Sequence, residues 1–162
     1  MLLYLTTKAL FLRINISGFF PQIKISMTAK KDTSFTFRLF PGADLRNSIR
    51  DFVRGKKIYA GWIVSCAGSI TEYSIRFANQ PGSSTGSGHF EIVSLTGTVS
   101  VNGLHLHISI SDSTGKTIGG HLMEGCKIYT TAEIVLVESG KYIFTREKDG
   151  STPWEELQIR KK

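Results

Sequence analysis

The sequence contains only two cysteines and four prolines in 162 residues. The two thiols, Cys66 and Cys126, cannot build a disulfide-stapled scaffold, and they lack the paired spacing of metal-ligating cysteines. No stretch reaches about 18 uncharged apolar residues, which excludes a helical membrane bundle. With 41% hydrophobic and 20% charged residues, the chain has the composition of one globular domain rather than of a disordered or collagen-like protein.

Acidic residues are absent from the first 31 positions, and this explains most of the net charge of +7. Those positions carry five basic residues, whereas residues 32–162 carry the other 15 Lys and Arg against all 13 Asp and Glu. The body is therefore near neutrality and does not show the broad cationic surface that phosphate binding usually requires. Nucleic acid is for this reason a weakly supported partner.

Residues 1–31 are rich in Leu, Phe, Ile and Ser/Thr, but Lys8 and Arg13 interrupt the apolar runs. A secretory signal would place its charge before one unbroken apolar segment. We interpret the segment either as an upstream extension, with Met27 as the working start, or as a mitochondrial presequence. We expect a cytoplasmic protein, or a mitochondrial one if residues 1–31 act as a presequence.

One helix is predicted in the body. Pro41-Gly42 ends a first strand, Asp44 is a candidate N-cap, and an apolar stripe follows at helical spacing until Gly55. The stripe consists of Leu45, Ile49, Phe52 and Val53.

Alternating apolar runs predict strands in the rest of the body. The predicted strands cover residues 34–39, 58–67, 70–78, 90–101, 104–111, 127–138 and 141–147. A flexible loop rich in Gly and Ser is predicted at 79–88, and the final Lys161-Lys162 pair is interpreted as a frayed end. One helix followed by strand upon strand predicts a single α+β domain, with a central, mainly antiparallel or mixed β-sheet flanked by one or two helices.

Three of the four histidines are candidates for one metal site. In residues 104–111, His105 and His107 point to the polar side of a strand while the apolar residues point to the other. The turn at 112–116 can fold a new strand back beside the first and bring His121 to the same face. Three imidazoles without a fourth protein ligand are typical of a catalytic zinc site. The alternative is a polar face whose histidines bond only water or cross-strand neighbours.

Two carboxylates lie close to histidines in the sequence. Glu124 follows His121 by three residues, and Glu91 follows His89 by two. Either is a candidate general acid or base, or an orienting partner of a ligand. The alternative is a solvated carboxylate at a strand edge or turn.

Arginine recurs every four residues on the predicted helix, at Arg46, Arg50 and Arg54. Such a stripe lies on one face and can contact phosphate or an acidic partner. The alternative is local pairing, for instance with Asp51.

Five ordered blocks resemble the PPC (plants and prokaryotes conserved) domain. They are residues 37–45 (FRLFPGADL), 60–69 (AGWIVSCAGS), 90–98 (FEIVSLTGT), 104–109 (LHLHIS), and 119–126 (GGHLMEGC) with 131–134 (TAEI). On this resemblance, residues 34–149 form a PPC-like domain and residues 150–162 a C-terminal tail.

The resemblance implies an α+β fold, association into homotrimers, and a zinc ion held by His105, His107 and His121. It also implies a binding protein with a DNA-associated or regulatory role. The fold and the three histidines are remotely similar to acetolactate decarboxylases. The alternative hypothesis is therefore a metal-dependent enzyme of lyase or hydrolase type, acting on a small polar oxo-acid-like metabolite.

Overall fold

The computed structural model describes residues 31–162, so the expectations for the leader lie, apart from Lys31, outside the described residues. Within them the chain forms one α-helix and eight β-strands. In chain order these are β1 (Thr33–Leu39), α1 (Leu45–Gly55), β2 (Gly61–Arg76), β3 (Ser84–Ser100), β4 (Gly103–Ser111), β5 (Thr117–Leu122), β6 (Lys127–Glu138), β7 (Tyr142–Glu147) and β8 (Glu156–Lys161).

Six strands form the main sheet in the order β1-β6-β2-β3-β4-β5, and β7 pairs with β8 in a separate hairpin. Every pairing between these strands is antiparallel. The far strand β5 also pairs with the end of β2, at Ile75 and Arg76. The strands β2 to β5 therefore close on themselves, and the predicted α+β fold is confirmed.

The helix α1 begins and ends where the sequence predicts. Asp44 caps it, because its carboxylate accepts a hydrogen bond from the backbone N–H of Asn47 at 3.0 Å. Leu45, Ile49 and Val53 are fully buried against the sheet. No helix in the described part of the chain is long and apolar enough to cross a membrane.

The strand β2 is continuous where the sequence predicts two strands. Gly68 lies in its middle with φ +151°, and a Cβ there would collide with the carbonyl oxygen of Thr131 on β6. Pairing with β3 on one side and β6 on the other keeps the backbone extended through the irregular register around Gly68.

The predicted flexible loop at 79–88 is shorter than expected. The strand β3 starts at Ser84, and residues 84–87 pair with β2. Gly86 lies against the ring of Tyr73, where a Cβ would not fit. Gly86 therefore serves close packing here rather than flexibility.

The interpretation of the C-terminus as a frayed end is wrong. Lys161 pairs with Tyr142 in the β7–β8 hairpin, and the backbone N–H of Lys162 donates to the carbonyl of Lys141. The Phe144 N–H donates to the carbonyl of Tyr59 just before β2, and Arg146 donates to Thr98 on β3, so the hairpin is held against the main sheet. Pairing within this hairpin is what orders the C-terminal end.

Candidate metal centre

The strand β4 places His105 and His107 on the side away from the core. Between and after them, Leu106, Ile108 and Ile110 are 3%, 1% and 0% exposed. Because side chains alternate along a strand, burial of the apolar set leaves both imidazoles on the polar face.

The strand β5 brings the third imidazole to the same place. His121 is the direct cross-strand partner of His107, and next to it β5 also pairs with β2. Gly119 and Gly120 permit this approach on both sides, because a Cβ would collide with the carbonyl of Ile108 at the first and of Arg76 at the second.

The three rings form a compact cluster. Nε2 of His105 lies 3.2 Å from Nε2 of His107. The ring centroids of the three pairs are 5.1, 5.0 and 4.4 Å apart, and one nitrogen from each ring lies within 4.8 Å of the others. Two nitrogens bound tetrahedrally to zinc at about 2.0–2.1 Å would lie about 3.3 Å apart. The residues present therefore fit a shared metal ion.

The electrostatic surroundings keep two of these imidazoles neutral. Burial, and then the charge of Arg76, lowers the pKa of His121 to about 4. Burial, and then Arg146, also lowers the pKa of His105. A neutral imidazole is the form that binds metal, so these nitrogens offer free lone pairs at neutral pH.

An open cavity of about 290 Å³ adjoins the histidines. Strands β3 and β4 supply most of its wall, and the β7–β8 hairpin closes one side with Arg146, Glu156 and Leu157. Sequence reasoning missed these three residues because no local pattern ties the hairpin to β4.

The chain matches the Plants and Prokaryotes Conserved (PCC) domain, the family that its sequence blocks resemble, over residues 27–140. It belongs to this family.

Two curated relatives of this PCC domain are both described as "Bifunctional protein GlmU". The protein from Synechococcus sp. (strain JA-2-3B'a(2-13)) is 39% identical over 148 residues, which are 91% of this chain and 23% of that protein. The protein from Synechococcus sp. (strain JA-3-3Ab) is 42% identical over 127 residues, which are 78% of this chain and 20% of that protein. The chain thus spans about a fifth of the length of these relatives.

Solved structures share the fold. A hypothetical protein from Salmonella cholerae-suis is 35% identical with a TM-score of 0.80, covering 83% of this chain and 98% of that chain. The metal-containing protein AF0104 from Archaeoglobus fulgidus is 27% identical with a TM-score of 0.66, covering 84% and 99%. A protein from Bacteroides thetaiotaomicron, provisionally described as DNA-binding, is 26% identical with a TM-score of 0.67, covering 77% and 91%.

The cavity-lining hairpin residues lie beyond the part of the chain that matches the PCC domain. The match ends at residue 140, and Arg146 and Glu156 follow it. The histidines lie inside the matched part.

The candidate general acid Glu124 lies at the arginine stripe of α1. Its carboxylate accepts a hydrogen bond from Arg50 at 2.7 Å and lies 3.5 Å from a guanidinium nitrogen of Arg46. It does not line the cavity beside the histidines. Arg50 also lies 3.5 Å from Asp51, so two of the three stripe arginines are paired locally, and Arg54 lies at the exposed end of the helix.

The candidate Glu91 is exposed on β3 and pairs across the sheet with Ser69 and Ser111. Ser111 is four positions from His107, or roughly 13 Å along the strand. Glu91 is therefore out of contact range of the histidine cluster. The fourth histidine, His89, packs on the ring of Tyr129 at 4.4 Å between centroids.

Proposed function

We propose that this protein is a homotrimeric PCC-domain binding protein that holds one zinc ion per chain between His105, His107 and His121. The observation that carries the proposal is the convergence of the three rings, with 3.2 Å between the Nε2 atoms of His105 and His107. Three protein ligands leave a fourth position open to water or a small ligand.

The donor set favours zinc over harder cations. The cluster offers imidazole nitrogens only, whereas magnesium and calcium prefer carboxylate and carbonyl oxygens. The description of the Archaeoglobus fulgidus neighbour as metal-containing supports a metal ion here and does not name the element. A bound zinc ion would supply a Lewis acid at its open position.

Exposed apolar side chains support association into a trimer. Val64, Val93 and Tyr129 lie on the adjacent strands β2, β3 and β6 and are 56%, 59% and 43% exposed. Exposed apolar side chains on a sheet are a feature of interfaces. The trimer that the family resemblance implies would cover such a surface.

A DNA-associated or regulatory role rests on the description of the Bacteroides thetaiotaomicron neighbour. The arginine stripe adds little to it, because Arg46 and Arg50 are already paired with Glu124. A gel-shift assay with duplex DNA tests the role. A salt-dependent shift that disappears in an Arg46→Ala, Arg50→Ala, Arg54→Ala variant supports it, and no shift at low salt rejects it.

The cavity favours one second candidate, a metal-dependent lyase or hydrolase acting on a small oxo-acid-like metabolite. Glu156 lies in the wall beside His105, where a carboxylate can hold or accept a proton. The test is turnover of a panel of small 2-oxo and hydroxy acids by the zinc-loaded protein. Activity that survives in a His105→Ala, His107→Ala double variant would reject this candidate.

Elemental analysis combined with native mass spectrometry tests the leading proposal. We expect one zinc ion per chain and a mass of three chains. The His107→Ala variant should bind zinc roughly a hundredfold or more weakly, because a direct ligand matters more than an outer partner. His89→Ala is the matched control, since His89 packs on Tyr129 outside the cluster. Equal zinc content in His107→Ala and the wild type would contradict the proposal.

A further inference from the structure

Arg146 reaches from the β7–β8 hairpin onto the face that carries the histidines. Its Nη2 donates a hydrogen bond to Oγ1 of Thr98 on β3 at 2.8 Å. Its Nη1 lies 3.5 Å from Nδ1 of His105. The Thr98 bond holds the guanidinium in the wall of the cavity, beside the open side of the histidine cluster.

Within residues 31–162, Arg146 has no carboxylate within ion-pairing distance. Arg160 on the same hairpin differs, because it binds Glu147 at 2.8 Å. Glu156 also lines the cavity, but its carboxylate accepts a hydrogen bond from the hydroxyl of Thr152 within the hairpin. Glu156 is thus a nearby negative charge but not a direct ion-pair partner of Arg146. A half-buried guanidinium that lacks a direct carboxylate partner is a ready partner for an external anion.

Arg76 adds a second positive charge beside the cluster. It is the cross-strand neighbour of His121, and its guanidinium lies over the ring of Trp154 at 5.4 Å. It too has no carboxylate within ion-pairing distance in the described part of the chain. With Arg146 and Arg76 set against the carboxylate of Glu156, the surroundings of the histidines carry a net positive charge before any metal is added.

With zinc bound, His105 and Arg146 would face each other with two hydrogen-bond donors and no acceptor between them. If Nε2 of His105 binds the metal, the ring proton stays on Nδ1, and Nδ1 faces Nη1 of Arg146. Both atoms are then donors and cannot bond each other. An oxyanion between them would accept from both.

We infer that the cavity binds a small oxyanion, a carboxylate or a phosphate, through the guanidinium of Arg146. The inference rests on the proposed metal site and adds the chemical class of its ligand. The volume of about 290 Å³ lies just below the usual range for ligand pockets, which favours a small organic acid or inorganic phosphate over a nucleotide. Specificity would then come in part from the β7–β8 hairpin, which follows the end of the PCC domain match at residue 140.

Isothermal titration of the zinc-loaded and metal-free protein with acetate and with inorganic phosphate tests the inference. The Arg146→Gln variant should bind the preferred anion roughly tenfold to a hundredfold more weakly, because a charge-assisted hydrogen bond is lost. The Glu156→Gln variant should bind it more tightly, because a negative charge leaves the wall. Arg160→Gln is the matched control, with the same charge change on the same hairpin, and its affinity should equal that of the wild type.

The zinc content and circular dichroism of each variant are measured in parallel. If Arg146→Gln is misfolded, Arg146→Lys replaces it, and a reduced affinity is still expected because lysine cannot present the planar fork. Unchanged anion affinity in the folded Arg146 variant, or no binding of either anion by the wild type, overturns the inference. Wild-type protein without zinc would overturn the metal site instead, and the dependence on Arg146 in metal-free protein would still decide the anion site. The ratio of the acetate and phosphate affinities identifies which oxyanion the cavity prefers.

Discussion

Burial determines the chemistry of the two cysteines. It raises the pKa of the Cys66 thiol to about 12 and that of Cys126 to about 11. Cys126 also exchanges hydrogen bonds with the backbone of Ser74, at 3.3 and 3.4 Å. The reactive form of a cysteine is the thiolate, so both residues should be inert in the folded protein.

We therefore expect no alkylation of Cys66 or Cys126 by iodoacetamide in the native protein at about pH 8, and full alkylation in urea. Mass spectrometry of the two samples measures this, and rapid labelling of the native protein would contradict it.

The raised pKa of the two thiols also has a consequence for the stability of the protein. Above about pH 9 the unfolded chain loses the thiol protons first, so the free energy of unfolding should fall as the pH rises toward 12.

The histidines show how far single residues can be interpreted without a structure. His105 and His107 share a face because the apolar residues between them need the core, and this follows from alternation along one strand. No such rule predicts that Arg146 lies beside His105. It lies 41 residues after His105, and only the packing of a hairpin against β3 and β4 brings the two side chains together.

At the level of elements, Asp44 joins the helix to the loop before β6. Its carboxylate caps α1 at Asn47, accepts from the backbone N–H of Gly125 at 2.7 Å, and lies 3.7 Å from Lys127. We expect Asp44→Ala to lower the free energy of unfolding by about 1–2 kcal/mol. Chemical denaturation measures the change. Asp51→Ala is the control, because its exposed pair with Arg50 should contribute less than about 0.5 kcal/mol. Equal losses in both variants would contradict this role of Asp44.

Gly97 controls the pairing of β3 with β4 next to a candidate ligand. Its φ is +136°, and a Cβ would collide with the carbonyl oxygen of His105. We expect Gly97→Ala to lower the free energy of unfolding by about 1–3 kcal/mol and to weaken zinc binding, because β4 must move. Denaturation and zinc analysis measure both effects. Gly82→Ala, with open space around it and no positive φ, should change neither, and the prediction fails if Gly97→Ala behaves in the same way.

For the whole molecule, the proposed interface and the histidine cluster lie on different strands. The residues of the proposed interface, Val64, Val93 and Tyr129, belong to β2, β3 and β6, and the histidines of the cluster belong to β4 and β5. We expect the trimer to persist when a chelator removes the metal, because the apolar contacts remain. Sedimentation velocity with and without EDTA measures this. A Val64→Asp, Val93→Asp variant should dissociate, since it places charges on the apolar surface. Dissociation of the wild type by EDTA would instead make the ion structural.

Much of the fold follows from short-range patterns, and the errors have a common physical cause. The helix α1, the antiparallel strands and the turn before His121 are all local, and they were predictable. Three predictions were wrong. These are the division of β2 into two strands, the extent of the flexible loop at 79–88 and the frayed C-terminus. In each case pairing with a neighbouring strand ordered residues whose composition favours bends or flexibility, and composition alone does not show that pairing.

Alternation along one strand thus determines that His105 and His107 share its polar side, and the short turn at 112–116 permits His121 to join them. That His121 does lie opposite His107 is decided by the pairing of β5 with β4. Which charges surround those imidazoles is a matter of long-range packing. Arg76 lies beside the cluster because the end of β2 pairs with β5, and the β7–β8 hairpin places Arg146 and Glu156 there. Such contacts join segments far apart in the chain, and no periodicity within either segment encodes them.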